Sequence, residues 1–155
     1  MPKKQEKAKL KFLNYTESED FAPIIDGYVM AGFPSPAGDY IDNELNLKTL
    51  LMRNESSTFY VQVVGNSMVD VNIFEGDILV VDKSLDPSKD SILVCFIDGE
   101  FTVKKVSKIG KEFFLIPANP EFKPIKIEES SDFRLWGVVT FVIHDVRKHV
   151  RTNRR

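Results

Sequence analysis

The sequence has a single cysteine, Cys95, and two histidines, His144 and His149. One thiol excludes an internal disulfide framework and any multi-cysteine zinc centre. It stands in the apolar run of residues 92–97, so a buried, inert thiol is expected. Both histidines fall at or beyond the end of the last apolar run, a poor place from which to recruit the base of a Ser-His-Asp triad. There is no Gly-rich phosphate loop, no dinucleotide fingerprint and no recognisable spacing of metal-ligating or paired acids, so neither a cofactor nor a metal is expected. No apolar stretch approaches the ~20 residues of a membrane helix. The Met-Pro-Lys-Lys start carries no apolar core of a secretory signal, so a cytoplasmic protein is expected.

What is present is enough to build a core. The chain has 155 residues, 43% of them hydrophobic and 11% aromatic, which suits one domain carrying a short arm. The net charge of −2 hides an uneven distribution. Lys3, Lys4, Lys7, Lys9 and Lys11 against Glu6 give the first eleven residues +4. Arg147, Lys148, Arg151, Arg154 and Arg155 give the last nine +5, which leaves −11 between the two tails.

Residues 1–20 are polar and expected to be mobile. Residues 21–40 hold Pro23, Gly27, Gly32, Pro34, Pro36 and Gly38, too many donor-less and entropically costly positions for a helix or a central strand. They are expected to form an extended, accessible linker. Asn46 can cap a short helix over residues 47–52, with Leu47, Leu50 and Leu51 on one face. From residue 54 onward the pattern changes to strands at 59–64, 78–82, 92–97, 100–107, 112–116 and 133–143, rich in β-branched and aromatic residues. Turn residues separate them, and Asp98-Gly99 predicts a tight hairpin with both central residues at positive φ. The expected fold is all-β, a compact sandwich- or barrel-like body with one short helix.

Two local features could carry chemistry. Gly65-Asn66-Ser67-Met68 follows a strand directly, and a serine on such a turn can expose its hydroxyl beside backbone N–H groups. Lys104-Lys105 lies inside the 100–107 strand, where a lysine buried among apolar groups would have a lowered pKa and could act as a neutral base. Strand alternation puts Phe101, Val103 and Lys105 on one face and Thr102, Lys104 and Val106 on the other. It does not say which face is inward. On these residues alone, a plain turn and an exposed strand pair remain open.

Taken in order, Gly65-Asn66-Ser67-Met68, Glu75-Gly76-Asp77-Ile78-Leu79-Val80-Val81-Asp82 and Asp98-Gly99-Glu100-Phe101-Thr102-Val103-Lys104-Lys105 resemble the UmuD and LexA family of self-cleaving SOS-response proteins. Phe33-Pro34-Ser35-Pro36-Ala37 with Asp39-Tyr40, and the ending Trp136-Gly137-Val138-Val139, resemble its UmuD branch. The similarity covers about residues 28–146. It implies the β domain of the LexA and signal-peptidase type, with Ser67 as nucleophile and Lys104 as general base. Backbone N–H groups at and just before Ser67 would make the oxyanion hole.

The resemblance places the cut between Ala31 and Gly32, in Val29-Met30-Ala31-Gly32, and makes Ala37-Gly38 a decoy. Residues 1–31 would be the arm removed, and 32–155 the retained domain with its basic tail from about 147. The resemblance further implies a homodimer, cleavage activated by a RecA–single-stranded-DNA filament, and a UmuC-type Y-family translesion polymerase as partner. The basic tails are expected to add weak DNA or polymerase contact. A LexA-like repressor is the principal alternative, but the 31 residues before the cut are short for a helix-turn-helix module. A signal-peptidase-like enzyme would need a membrane anchor, and a non-catalytic β domain would leave Ser67 and Lys104 as ordinary surface residues.

Overall fold

The structure, a computed structural model, describes residues 11–13, 21–25 and 42–149. Tails, linker and the Ala31-Gly32 bond therefore lie outside the described residues, apart from Lys11–Leu13, Phe21–Ile25 and the first residues of the C-terminal tail. The chain divides into two units, residues 16–53 and the remainder.

In the smaller unit, β2 (Phe21–Ile25) pairs antiparallel with β3 (Asp42–Asn46), Phe21 facing Asn46 and Ile25 facing Asp42. Part of the expected linker is thus a strand. Pro23 fits because in a two-stranded sheet each strand keeps one edge free of ladder partners. Helix α1 (Leu47–Leu51) follows, with the Asn46 side chain accepting from Thr49 N at 3.0 Å. Leu47 and Leu50 stay about half-exposed in this helix.

The larger unit is an eight-stranded antiparallel sheet in the order β1-β4-β5-β10-β6-β7-β8-β9. Its strands are β1 (Lys11–Leu13), β4 (Thr58–Gln62), β5 (Ile78–Asp82), β6 (Ile92–Ile97), β7 (Glu100–Ile109), β8 (Glu112–Ile116), β9 (Ile125–Ile127) and β10 (Phe133–Ile143). Strand β1 places Lys11–Leu13, within the stretch expected to be mobile, opposite residues 60–62 of β4. Strands β5 and β6 are buried almost throughout, as strands covered on both faces must be. Alternation along β6 sends Val94 into one core with Val61, Val63, Met68, Leu79, Val81 and Val103. It sends Leu93, Cys95 and Ile97 into a second core with Leu115 and Val138.

Two glycine requirements are local and specific. In the β6–β7 hairpin, Asp98 (φ 48°) and Gly99 (φ 93°) both take the positive φ that the tight turn demands. In β10, a Cβ on Gly137 would stand 2.7 Å from Val81 Cγ1 and 2.9 Å from the Asp82 carbonyl oxygen, so only glycine lets the strands approach there. The β10–β6 register shifts between Leu135 and Gly137, which marks a bulge at Trp136.

Candidate active site

Strand β4 delivers the chain to residue 62, and Gly65 then turns it at φ +90°, where a side chain would be strained. Met68, 2% exposed, anchors the turn in the first core, and its carbonyl accepts from Val71 N and Ile73 N. Val63, before the turn, exchanges backbone hydrogen bonds with Gly76 and Asp77 at 2.9 Å each. The buried Asp77 fixes that second turn, its Oδ2 accepting from Phe74 N at 2.9 Å and its Oδ1 lying 2.8 Å from His144 Nδ1. His144 thus pairs with an aspartate, while the neighbour of Ser67 is a lysine. The side chain of His149 lies outside the described residues.

Lys104 is the inward lysine of the pair, 4% exposed, whereas Lys105 is only half-buried. Its Nζ stands 2.8 Å from Ser67 Oγ, 2.7 Å from Thr102 Oγ1 and 3.0 Å from the Val103 carbonyl oxygen. Burial pulls the Lys104 pKa down from 10.5 to about 8, with the Cys95 thiol pulling weakly the other way. Burial likewise pushes Cys95 up to about 12, Lys104 opposing slightly, so the thiol stays protonated at neutral pH. A lysine with that pKa loses its proton near physiological pH.

The three acceptors around Nζ match an ammonium's three N–H bonds. After one proton leaves, Thr102 Oγ1 and the Val103 carbonyl can hold the two that remain. The lone pair then faces Ser67 Oγ, the direction from which a base takes a hydroxyl proton. Thr102 is the residue that sequence reasoning missed. Its signal was available in the alternation, because it sits two residues before Lys104 on the same face of β7.

The residues 117–121 support the serine turn from one side. Ala118 N donates to the Ser67 carbonyl at 2.8 Å, and Asp70 N donates to the Ala118 carbonyl at 2.9 Å. The buried Asn119 donates through Nδ2 to the Asn66 carbonyl at 2.8 Å and accepts at Oδ1 from Glu121 N at 2.9 Å.

Among the described residues, no group of three His, Cys, Asp or Glu side chains is placed to hold a metal ion, and no helix is long and apolar enough to cross a membrane.

Residues 23–140 match the model of the Peptidase S24-like family. Protein SamA of Salmonella typhimurium is 39% identical over 126 residues, covering 81% of this chain and 87% of the relative. Protein MucA of Escherichia coli is 42% identical over 122 residues, 78% of this chain and 81% of its own. Protein ImpA of Shigella flexneri is 36% identical over 134 residues, 81% of this chain and 86% of its own.

Proposed function

The chain belongs to the peptidase S24-like family of self-cleaving serine peptidases as a UmuD-like SOS mutagenesis protein, and on that premise we propose that it cuts itself once, between Ala31 and Gly32, with Ser67 as nucleophile and Lys104 as general base. The observation that carries this reading is the 2.8 Å contact between Ser67 Oγ and a buried lysine whose pKa is drawn to about 8.

In the proposed reaction, neutral Lys104 takes the Ser67 hydroxyl proton as Oγ bonds to the Ala31 carbonyl carbon. The carbonyl electron pair moves onto oxygen, where backbone N–H groups at and just before Ser67 stabilise it. Collapse breaks the bond to the Gly32 nitrogen, which takes the proton from Lys104. A water then attacks the acyl-serine, giving one proton to Lys104. As the bond from the Ala31 carbonyl carbon to Oγ breaks, Lys104 passes that proton to Ser67 Oγ, and the Ala31 carboxylic acid loses its own proton to solvent. Because the substrate is tethered, its effective concentration is high and a modest catalyst suffices for one turnover. Cleavage separates residues 1–31 from 32–155.

The processed form acts, in this reading, as an accessory subunit of a UmuC-type Y-family translesion polymerase, with a RecA–single-stranded-DNA filament promoting the cut in the cytoplasm. Self-association as a homodimer is supported by an open apolar groove of about 880 Å³ lined by Leu93, Val106, Phe113, Ile127, Phe133 and Leu135. Phe113 and Leu135 are more than 40% exposed there, the kind of surface that marks an interaction site. Sedimentation equilibrium giving a monomer at micromolar concentration would remove the dimer.

Intact mass after incubation at neutral and alkaline pH tests the cleavage, beside Ser67→Ala and Lys104→Ala. Loss of the first 31 residues is expected in the unmutated protein alone. If that protein stays whole even with an activated RecA filament, or if Ser67→Ala is cut equally well, the reading fails.

A further inference from the structure

The hydrogen bonds around Ser67 bear on how the oxyanion donor is aimed. The described peptide bonds are all trans, so the Ser67 N–H points opposite to the Asn66 carbonyl across one rigid plane. Whatever grips that carbonyl therefore sets the direction of that N–H. The grip is the Asn119 side chain, 7% exposed, with Nδ2 at 2.8 Å from the Asn66 oxygen.

Asn119 is itself fixed. Its Oδ1 accepts from Glu121 N at 2.9 Å, which leaves one orientation of the amide that satisfies both ends. Asn119 is held between residues whose backbone is stiffened by Pro117 and Pro120. The next plane along is held from the same loop, since Ala118 N donates to the Ser67 carbonyl at 2.8 Å. Two successive peptide planes at the nucleophile are thus clamped by residues 118 and 119. A hydrogen bond accepted at a carbonyl also polarises the N–H of the same amide, which makes it a stronger donor.

Building on the Ser67–Lys104 reading, we propose that Asn119 is a positioning residue for self-cleavage: by holding the Asn66 carbonyl it aims the Ser67 N–H at the oxyanion. It touches neither the scissile bond nor Lys104 in this role. Its loss misdirects a donor that remains present, so the expected effect is a part of the ~10²–10³-fold that outright loss of an oxyanion donor costs.

The test uses the full chain with Asn119→Ala and Asn119→Asp. The aspartate keeps the acceptor for Glu121 N but sets a carboxylate oxygen against the Asn66 carbonyl, so it serves if the alanine variant folds poorly. Cleavage at alkaline pH is expected to fall about tenfold to a hundredfold in both. In Asn119→Ala the pH midpoint stays at about 8 because no charge near Lys104 changes, whereas the new carboxylate of Asn119→Asp moves it upward. In a Ser67→Ala background, which cannot cut but keeps the amide, both changes are expected to shift the Asn66 carbonyl ¹³C and the residue-67 amide ¹⁵N signals selectively. A merely structural role would displace signals throughout the domain and lower its melting temperature in proportion to activity, which overturns the proposal. So does cleavage within threefold of the unmutated protein. An unmutated protein that never cuts overturns the dyad and this inference with it, whereas a cutting one beside an equally fast Asn119→Ala overturns this inference alone.

Discussion

Two buried ionisable groups in the same unit are treated in opposite ways. Asp82, 4% exposed at the end of β5, receives Ser57 Oγ at 2.9 Å, Ser84 N at 2.8 Å and Ser84 Oγ at 2.6 Å on Oδ1, and Asn54 Nδ2 at 3.3 Å on Oδ2. Burial works against its charge, but donors from Ser84, Ser57 and Asn54 outweigh it and hold the carboxyl below 3.8. Lys104, as little exposed but set far deeper among protein atoms, has three neutral acceptors and no carboxylate, and there desolvation prevails. A group's state therefore follows from its depth and from the partners offered to its charged form, taken together. Asp82 is fixed as an ion and staples the 54–57 segment to the end of β5, whereas Lys104 is poised between two protonation states.

The contrast predicts opposite stability changes. Lys104 has a folded pKa of about 8 against 10.5 when free, so the unfolded chain binds more protons between those values. The penalty for its charge is complete below about pH 8 and relieved as pH rises towards 10.5, a difference of roughly 3 kcal/mol. Lys104→Met should abolish cleavage yet raise stability at pH 7 by up to roughly 3 kcal/mol, measured by urea unfolding. Asp82→Asn should lower it by about 2 kcal/mol, because donors matched to a carboxylate face an amide. The Asp82 contribution is present above its ordinary value of 3.8 and disappears as acid titrates through its lower folded value. If both substitutions destabilise, the proposed distinction between a poised and a fixed charge is wrong.

A smaller change probes the acceptors. Thr102→Val keeps shape but removes Oγ1, a partner of the ammonium. The Lys104 midpoint should move below about 8 and the plateau rate should fall about tenfold, equivalent to about 1.4 kcal/mol. An unchanged midpoint in a pH series of cleavage rates would show that Thr102 does not steer the lysine.

Much of this was legible in the chain because local periodicity and burial agree. The strands at 78–82, 92–97, 112–116 and 133–143 coincide with β5, β6, β8 and β10, the Asn46 cap starts α1, and Cys95 is buried. Boundaries moved where tertiary bonds override propensity. Residues 63 and 64 are apolar enough for β4, yet Val63 bonds to the 76–77 turn instead, while β7 runs on to Ile109 to pair with β8. Strand β9 escaped notice as three residues after Pro124, and β1 to β3 because their partners are remote in sequence or lie on an edge. Alternation could not choose between Lys104 and Lys105, since Thr102, Val103 and Lys104 are all buried and β7 there has no solvent face to mark. The clamp by Asn119 was invisible for a different reason. Asn119-Pro120 reads as an ordinary turn, and its partner Asn66 is 53 residues away.

The most direct test of the poised lysine is the rate of self-cleavage against pH, followed by intact mass from pH 6 to 11. A single deprotonation at Lys104 predicts a tenfold rise per pH unit that levels off near about 8. A flat profile, or one still climbing towards the ordinary lysine value of 10.5, would contradict it.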